Sequence, residues 1–182
     1  MTAFMMPGAT RFLQAYLNSK LSWFQLISIA NPLRGGVWRL RLKAQYVEPL
    51  PIPPATDAQK AELADLAARA QTAAEARYAL QQGITRRIPD LASGTATKLT
   101  ERLKAWWDLP DFAAFQAEVK KALKVEIPLK ARNEWESWIL AERTKIHALT
   151  GEIAQIEKEI NAKVYALFDL TPSEIELLEA NI

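Results

Sequence analysis

Isoleucine and leucine recur every seven residues through one long proline-free stretch of the sequence, from Arg132 to Phe168. This spacing puts the apolar side chains on one face of an α-helix, close to the pattern of a coiled-coil seam. The predicted helix is roughly 55 Å long at 1.5 Å per residue, and so long an apolar stripe needs a partner to cover it. The repeating positions are Ile139, Ile146, Ile153, Ile160 and Leu167.

The predicted partner is the segment Asp57–Ile88, whose apolar seam is rich in alanine. Small residues facing isoleucine and tryptophan let two helices approach closely. We therefore predict a mainly α fold with a long antiparallel, coiled-coil-like hairpin of two helices, capped by short helices between residues 91 and 130. The shorter helices are predicted at about 95–107 and 110–123, and a last one begins with the capping residues Thr171, Pro172 and Glu174.

A small β element is predicted before the hairpin. The segment 10–29 is expected to be helical, with a break at Asn18-Ser19. Apolar and polar residues then alternate from Val37 to Lys43, which is typical of a strand with one buried and one solvated face. The segment 46–54, with four prolines between residues 49 and 54, is predicted to be an extended connector. The domains are thus predicted at 1–54, with a helix and the β element, and at 55–182, with the hairpin.

Charge is distributed unevenly along the chain. Residues 1–47 contain six basic residues and no acidic one, whereas the rest has 17 basic and 21 acidic residues. This segregation indicates either that the N-terminal part faces a polyanion or that it docks on the acidic helices. Same-face residues of a strand lie roughly 6–7 Å apart, near the phosphate spacing of one DNA strand. The predicted DNA-binding residues are Arg34, Arg39, Arg41 and Lys43.

Most catalytic and metal chemistry is not supported by the sequence. It has no cysteine, which fits a reducing cytoplasm, and a single histidine, His147, that we expect to be solvated on the long helix. Pro89-Asp90 with Glu118-Val119-Lys120 matches a metal-dependent nuclease pattern only loosely, because the second part falls in a predicted helix. Neither a glycine-rich phosphate loop nor a Gly-x-Ser-x-Gly motif occurs. We therefore expect no catalysis by this chain alone.

Two further features have structural alternatives. Trp106, Trp107, Trp135 and Trp138 could stack on exposed bases, but their helical spacing favours packing in a core. The most apolar run, 21–33, is interrupted by polar residues and is too short to cross a bilayer, so no membrane association is expected. We read no signal peptide at the N-terminus, and the expected location is the cytoplasm.

Four short motifs resemble one protein family when they are taken in order. They are the stretch Leu17-Asn18-Ser19-Lys20-Leu21, the turn Gly35-Gly36, the connector Leu50-Pro51-Ile52-Pro53, and Val164-Tyr165-Ala166-Leu167-Phe168-Asp169-Leu170-Thr171-Pro172-Ser173-Glu174-Ile175. In this order they resemble the C-terminal target-recognition region of type IIG-like restriction-modification enzymes. They are similar also to the corresponding region of related adenine-specific DNA methyltransferases, including those of phage-exclusion systems.

The resemblance implies a DNA sequence-recognition module, with double-stranded DNA and a methyltransferase core or partner subunit as its partners. It places S-adenosylmethionine and Mg²⁺ in the parent enzyme and no cofactor in this chain. The family's catalytic Asn-Pro-Pro-Tyr motif is absent, since Asn31-Pro32 is followed by leucine and arginine. Phe168-Asp169 also stands where the family signature has tyrosine and glycine. The alternative is a helical scaffold that binds only protein, as a homodimer through the long seam.

Overall fold

The computed structural model describes residues 10–30, 43–92 and 98–182, and every regular element in these ranges is helical. The mainly α prediction is confirmed at this level. The predicted strand lies outside the described residues except for Lys43. The α-helices are α1 (Arg11–Leu17), α2 (Lys20–Ile29), α3 (Ala44–Val47), α4 (Asp57–Thr85), α5 (Glu101–Lys104), α6 (Phe112–Leu123), α7 (Leu129–Leu167) and α8 (Pro172–Glu179), and the 3₁₀ helices are Ile88–Leu91 and Trp106–Asp108.

The predicted break within the N-terminal helical segment is confirmed. Helix α1 ends at Asn18, and Ser19 begins α2 as its N-cap, with its hydroxyl oxygen accepting a hydrogen bond from the Ser22 N–H at 3.3 Å. The same hydroxyl donates to the Tyr16 carbonyl at 2.6 Å, so one serine closes the first helix and opens the second.

Prolines and caps explain where the longer helices begin and end. Helix α4 starts after a reciprocal pair in which the Gln59 N–H donates to the Thr56 hydroxyl and the Thr56 N–H donates to the Gln59 side chain. The prediction extended this helix to Ile88, but it ends at Thr85, because Pro89 enforces the following 3₁₀ turn.

The other predicted boundaries also shift. Helix α7 begins at Leu129, three residues before the predicted start, directly after Pro128. The helix predicted over 95–107 is reduced to α5 and a 3₁₀ turn among the residues described there. Helix α6, predicted over 110–123, begins at Phe112 after its N-cap Asp111. The connector starts later than predicted, since 44–47 forms the short helix α3.

The chain divides into two compact units, and α4 and α7 contribute to both. The first unit comprises 1–71 and 154–182. Its core joins α1, α2, α8, the first part of α4 and the last part of α7. Tyr16 is fully buried there, stacks on Phe168 with ring centroids 5.8 Å apart, and donates its hydroxyl to Gln25 at 2.9 Å. Burial raises the Tyr16 pKa to about 12.

The second unit comprises 72–153 and has its own core. Trp106 lies at its centre and donates its indole N–H to the Gln81 carbonyl at 3.1 Å. Phe115 is fully buried and stacks on Trp135, with ring centroids 6.0 Å apart. The tryptophans therefore pack in or against a core, as their spacing predicted. The Arg87 guanidinium lies 5.2 Å from the Trp138 ring centre, a cation–π contact.

Within the ranges that the structure describes, no helix combines the length and apolar character needed to cross a bilayer.

Candidate nucleic-acid interface

The structure describes one of the four predicted DNA-binding residues. Arg34, Arg39 and Arg41 lie outside the described residues. Lys43 is exposed and has the extended backbone angles φ −128° and ψ 156°, immediately before α3.

The chain is anchored on both sides of the basic segment. Ala30, the last described residue before it, is 6% exposed, and Leu50, shortly after it, is 7% exposed. Helices α2 and α3, which precede and follow the segment, contact each other in the first unit. The described residues next to the segment that contains the predicted arginines, Ala30 and Lys43, therefore cap two helices that contact each other.

The other two N-terminal cations have intramolecular partners. Arg11 donates to the side chains of Gln14 and Gln71. Lys20 forms an ion pair with Glu179 near the C-terminus. The alternative in which the basic N-terminal part docks on acidic helices thus holds for Lys20. The other four cations of residues 1–47 are the residues predicted to contact DNA, Arg34, Arg39, Arg41 and Lys43.

Lys20 is the centre of a polar joint between the N-terminal and C-terminal parts of the first unit. Its backbone N–H donates to the Asn161 side-chain oxygen at 2.9 Å, and its ammonium group meets the Glu179 carboxylate. The Tyr165 hydroxyl donates to the other oxygen of the same carboxylate at 2.9 Å. These residues line an open groove of about 670 Å³. Sequence reasoning missed this joint because its members lie up to 159 positions apart.

Two pKa values of the joint are shifted in opposite directions. The hydrogen bond from Lys20, followed by that from Tyr165, lowers the pKa of Glu179. Burial, followed by the hydrogen bond to Glu179, raises the pKa of Tyr165 well above its usual value. A depressed carboxyl pKa means that the ion pair stabilises the fold above the unfolded-state pKa and that this contribution is lost as pH falls through the folded-state pKa.

We expect the Lys20→Met variant to raise the pKa of Glu179 back toward that of an ordinary glutamate, because the largest cause of its depression is removed. Carboxyl-carbon NMR chemical shifts followed against pH would measure the change. The Tyr165→Phe variant should raise the same pKa by a smaller amount, and Lys145→Met, in the second unit, should leave it unchanged. An unaltered Glu179 titration in Lys20→Met would show that the ion pair is absent in solution.

Two of the four sequence motifs, the first and the last, pack in the same core of the first unit. Leu17 and Leu21 of the first motif contact the same core as Val164, Tyr165 and further residues of the last motif. After α7, the Leu170 N–H donates to the Tyr165 carbonyl at 3.1 Å, and Asp169 has φ 51°. This is a Schellman ending with a left-handed residue, a position that glycine fills most easily. The family signature has glycine at this place, and this chain has aspartate.

The alternative chemical sites find little support among the described residues. His147 is exposed, as predicted, and its ring nitrogen lies 3.3 Å from the Trp107 carbonyl. Glu118 is buried in α6, where its carboxylate accepts hydrogen bonds from Thr100 and Arg102, both at 3.1 Å. In residues 10–30, 43–92 and 98–182, no group of three histidine, cysteine, aspartate or glutamate side chains is placed to hold a metal ion.

Over the described residues, the regular elements of the chain are all helical and form two cores, and the first unit contains the polar joint. The family model for the domain of unknown function DUF8810 matches residues 56–164, which is more than half of the chain. The chain therefore belongs to the DUF8810 family. The search of curated proteins returned no match, and neither did the search of solved structures.

Proposed function

We propose that this chain is the DNA sequence-recognition module of a restriction-modification DNA methyltransferase. Its basic segment, defined by Arg34, Arg39, Arg41 and Lys43, contacts the phosphates of duplex DNA. The observation that carries the proposal is the ordered set of family-like motifs around an N-terminal region of 47 residues without an acidic side chain. Phosphate contacts of this kind set the register of a protein on DNA, and base contacts then provide specificity.

The packing of the first unit supports this proposal. Residues of the first and last motifs share one core, and Ala55, directly after the connector, packs against it. Ala30 and Leu50 are buried on either side of the basic segment. These contacts support the proposal because they place the motifs on either side of the basic segment in one packed unit.

The helical part of the proposal is an antiparallel pairing of α4 and α7 that supports the basic segment. In the first unit, Glu62 of α4 meets Lys163 of α7 at 2.6 Å. In the second unit, Arg77 of α4 donates to Thr150 of α7 at 3.4 Å. The earlier residue of α4 is paired with the later residue of α7, and the later residue of α4 with the earlier residue of α7. This order supports an antiparallel arrangement of the two helices. Such a support would hold the DNA-contacting segment at a set distance from a methyltransferase core or partner subunit.

In this proposal the catalytic chemistry belongs to the partner. S-adenosylmethionine and Mg²⁺ would bind the methyltransferase core, and this chain would contribute DNA affinity and position. The competing proposal, a protein-only scaffold that dimerises through the long seam, predicts a mass that rises with concentration in light scattering and no affinity for DNA.

A salt titration of duplex binding tests the proposal. We expect the full chain to bind double-stranded DNA with a log affinity that falls linearly with log salt, and the four phosphate contacts of the basic segment should contribute about −3 to −4 to the slope. Gel shifts or fluorescence anisotropy between about 50 and 200 mM salt would measure it. A chain that remains unbound at the lowest salt, or that binds with no salt dependence, would contradict the proposal.

A further inference from the structure

Three carboxylates of the second unit form ion pairs with cations, and two of them, Glu118 and Glu126, each pair with two cations. They lie on α5, on α6 and in the turn after α6, and their partners come from the same elements and from the start of α7. The sets are Glu101 with Lys104 at 2.6 Å and the nearby Lys98, Glu118 with Arg102 at 3.1 Å and Lys121 at 3.9 Å, and Glu126 with Lys120 at 2.7 Å and Arg132 at 3.4 Å. We call these nine residues, together with Lys124, the α5–α6 surface.

This surface has a surplus of positive charge. It contains seven cations and three carboxylates. The 3₁₀ helix Ile88–Leu91 adds one acidic residue, Asp90, but two arginines, Arg86 and Arg87, precede it. The surplus of positive charge is therefore not reduced by this helix. The other two acidic residues between 98 and 132 are Asp108 and Asp111, and Asp111 caps the opposite end of α6.

The surplus charge faces solvent. The side chains of Arg102, Lys120 and Lys121 are 64%, 68% and 67% exposed. Exposed ion pairs contribute only about 0–1 kcal/mol to stability, so these cations can exchange a carboxylate for a phosphate at little cost to the fold. Glu118 is different, since it is buried and needs its partners, but two cations and Thr100 face it and one cation can move away.

Helix stability explains part of this arrangement but not all of it. Lysines in the last turn of α6 interact favourably with the negative end of its dipole. Lys124, however, ends the helix with φ 60°, where glycine or asparagine fits best and other residues are strained by roughly 1–2 kcal/mol. A lysine at such a position breaks a local structural preference without a visible packing gain, a pattern that is typical of functional positions.

We propose that the α5–α6 surface forms a second set of phosphate contacts to duplex DNA, separate from the basic segment near the N-terminus. The inference rests on the proposed function, because duplex DNA is the polyanion which that function supplies. It assigns DNA contact to the helical second unit, within the region matched by the DUF8810 family model.

A triple variant, Lys120→Gln, Lys121→Gln and Lys124→Asn, tests the inference in the full chain. Asparagine is chosen at the last position because it tolerates the left-handed backbone. We expect the slope of log affinity against log salt to become smaller by about 2–3, with roughly a hundredfold loss of affinity near 0.15 M salt. The matched control is Lys60→Gln, Lys145→Gln and Lys163→Gln, which removes the same charge from lysines that each pair with one carboxylate.

The outcomes separate the inference from the proposed function. Unchanged affinity and slope in the triple variant, with loss of binding when the basic segment is neutralised, would overturn the inference and leave the proposed function standing. If the control variant weakens binding equally, the effect reflects only the lost net charge, and this result would also overturn the inference. If the wild-type chain does not bind duplex DNA, both fail.

Lysine footprinting of the wild-type chain provides a measurement that does not depend on the folding of a variant. Bound duplex should protect Lys120, Lys121 and Lys124 from acylation several-fold while Lys60 and Lys145 react as before. Equal reactivity of the α6 lysines with and without a saturating duplex would overturn the inference.

Discussion

Replacing Trp106 with alanine should lower the free energy of unfolding of the second unit by about 3–5 kcal/mol. The side chain is 1% exposed and lies within the core formed by α5, α6 and their neighbours, so its removal leaves a large cavity. The variant also leaves the Gln81 carbonyl without its indole donor. Urea unfolding followed by circular dichroism would measure the loss, and hydrogen exchange of peptides covering 98–123 would locate it.

The control for this prediction is the adjacent tryptophan. Trp107 is only half-buried, so Trp107→Ala should cost clearly less than Trp106→Ala. The loss of unfolding free energy in Trp106→Phe should lie between the losses in these two variants, because phenylalanine keeps most of the apolar volume but loses the hydrogen bond to Gln81. Equal stabilities of the Trp106→Ala and Trp107→Ala variants would contradict the assignment of Trp106 to the centre of this core.

Neutralising the basic segment should have the largest effect on DNA binding. The quadruple variant Arg34→Gln, Arg39→Gln, Arg41→Gln and Lys43→Gln removes four proposed phosphate contacts. Counterion release then predicts a slope smaller by roughly 3–4 and about a thousandfold weaker binding near 0.15 M salt. Anisotropy titrations with a fluorescent duplex at several salt concentrations would measure both quantities, and circular dichroism should report an unchanged helix content.

A charge-matched control separates a specific contact from a general electrostatic effect. Lys60, Arg69, Lys145 and Lys163 each lie beside one carboxylate, and their replacement by glutamine changes the net charge by the same amount. This control should bind DNA within a few-fold of wild type. If both quadruple variants weaken binding alike, the basic segment has no special role, and the proposed position of the DNA contact is wrong.

Local sequence signals predicted the helical elements where the responsible interactions are themselves local. Ser19 caps α2, Asp111 caps α6, and Thr171 with Glu174 forms the predicted capping box of α8. Each of these bonds joins residues three positions apart, so the signal is contained within a few neighbouring letters. Boundaries near prolines were predicted less well, since Pro89 and Pro128 moved the ends of α4 and α7 by about one turn.

Apolar periodicity also predicted which side chains are buried. Ile139, Ile146, Ile153 and Ile160 are all at most 8% exposed, as the seven-residue repeat indicated. The tryptophans of the second unit pack in or against its core for the same reason. The repeat did not indicate that Ile139 and Ile146 belong to one core and Ile160 to the other, because a periodic stripe marks the buried face of a helix but not what covers each part of it.

By itself, the sequence of this DUF8810 protein determined the helical class, the main capping sites and the uneven distribution of charge along the chain. Only the tertiary structure decided how that charge is partnered. It paired Lys20 with Glu179 and collected Arg102, Lys120 and Lys121 around two carboxylates on the α5–α6 surface. The physical reason is distance: caps and periodicity act within a few residues, whereas an ion pair between positions 20 and 179 exists only once packing has brought the two helices together.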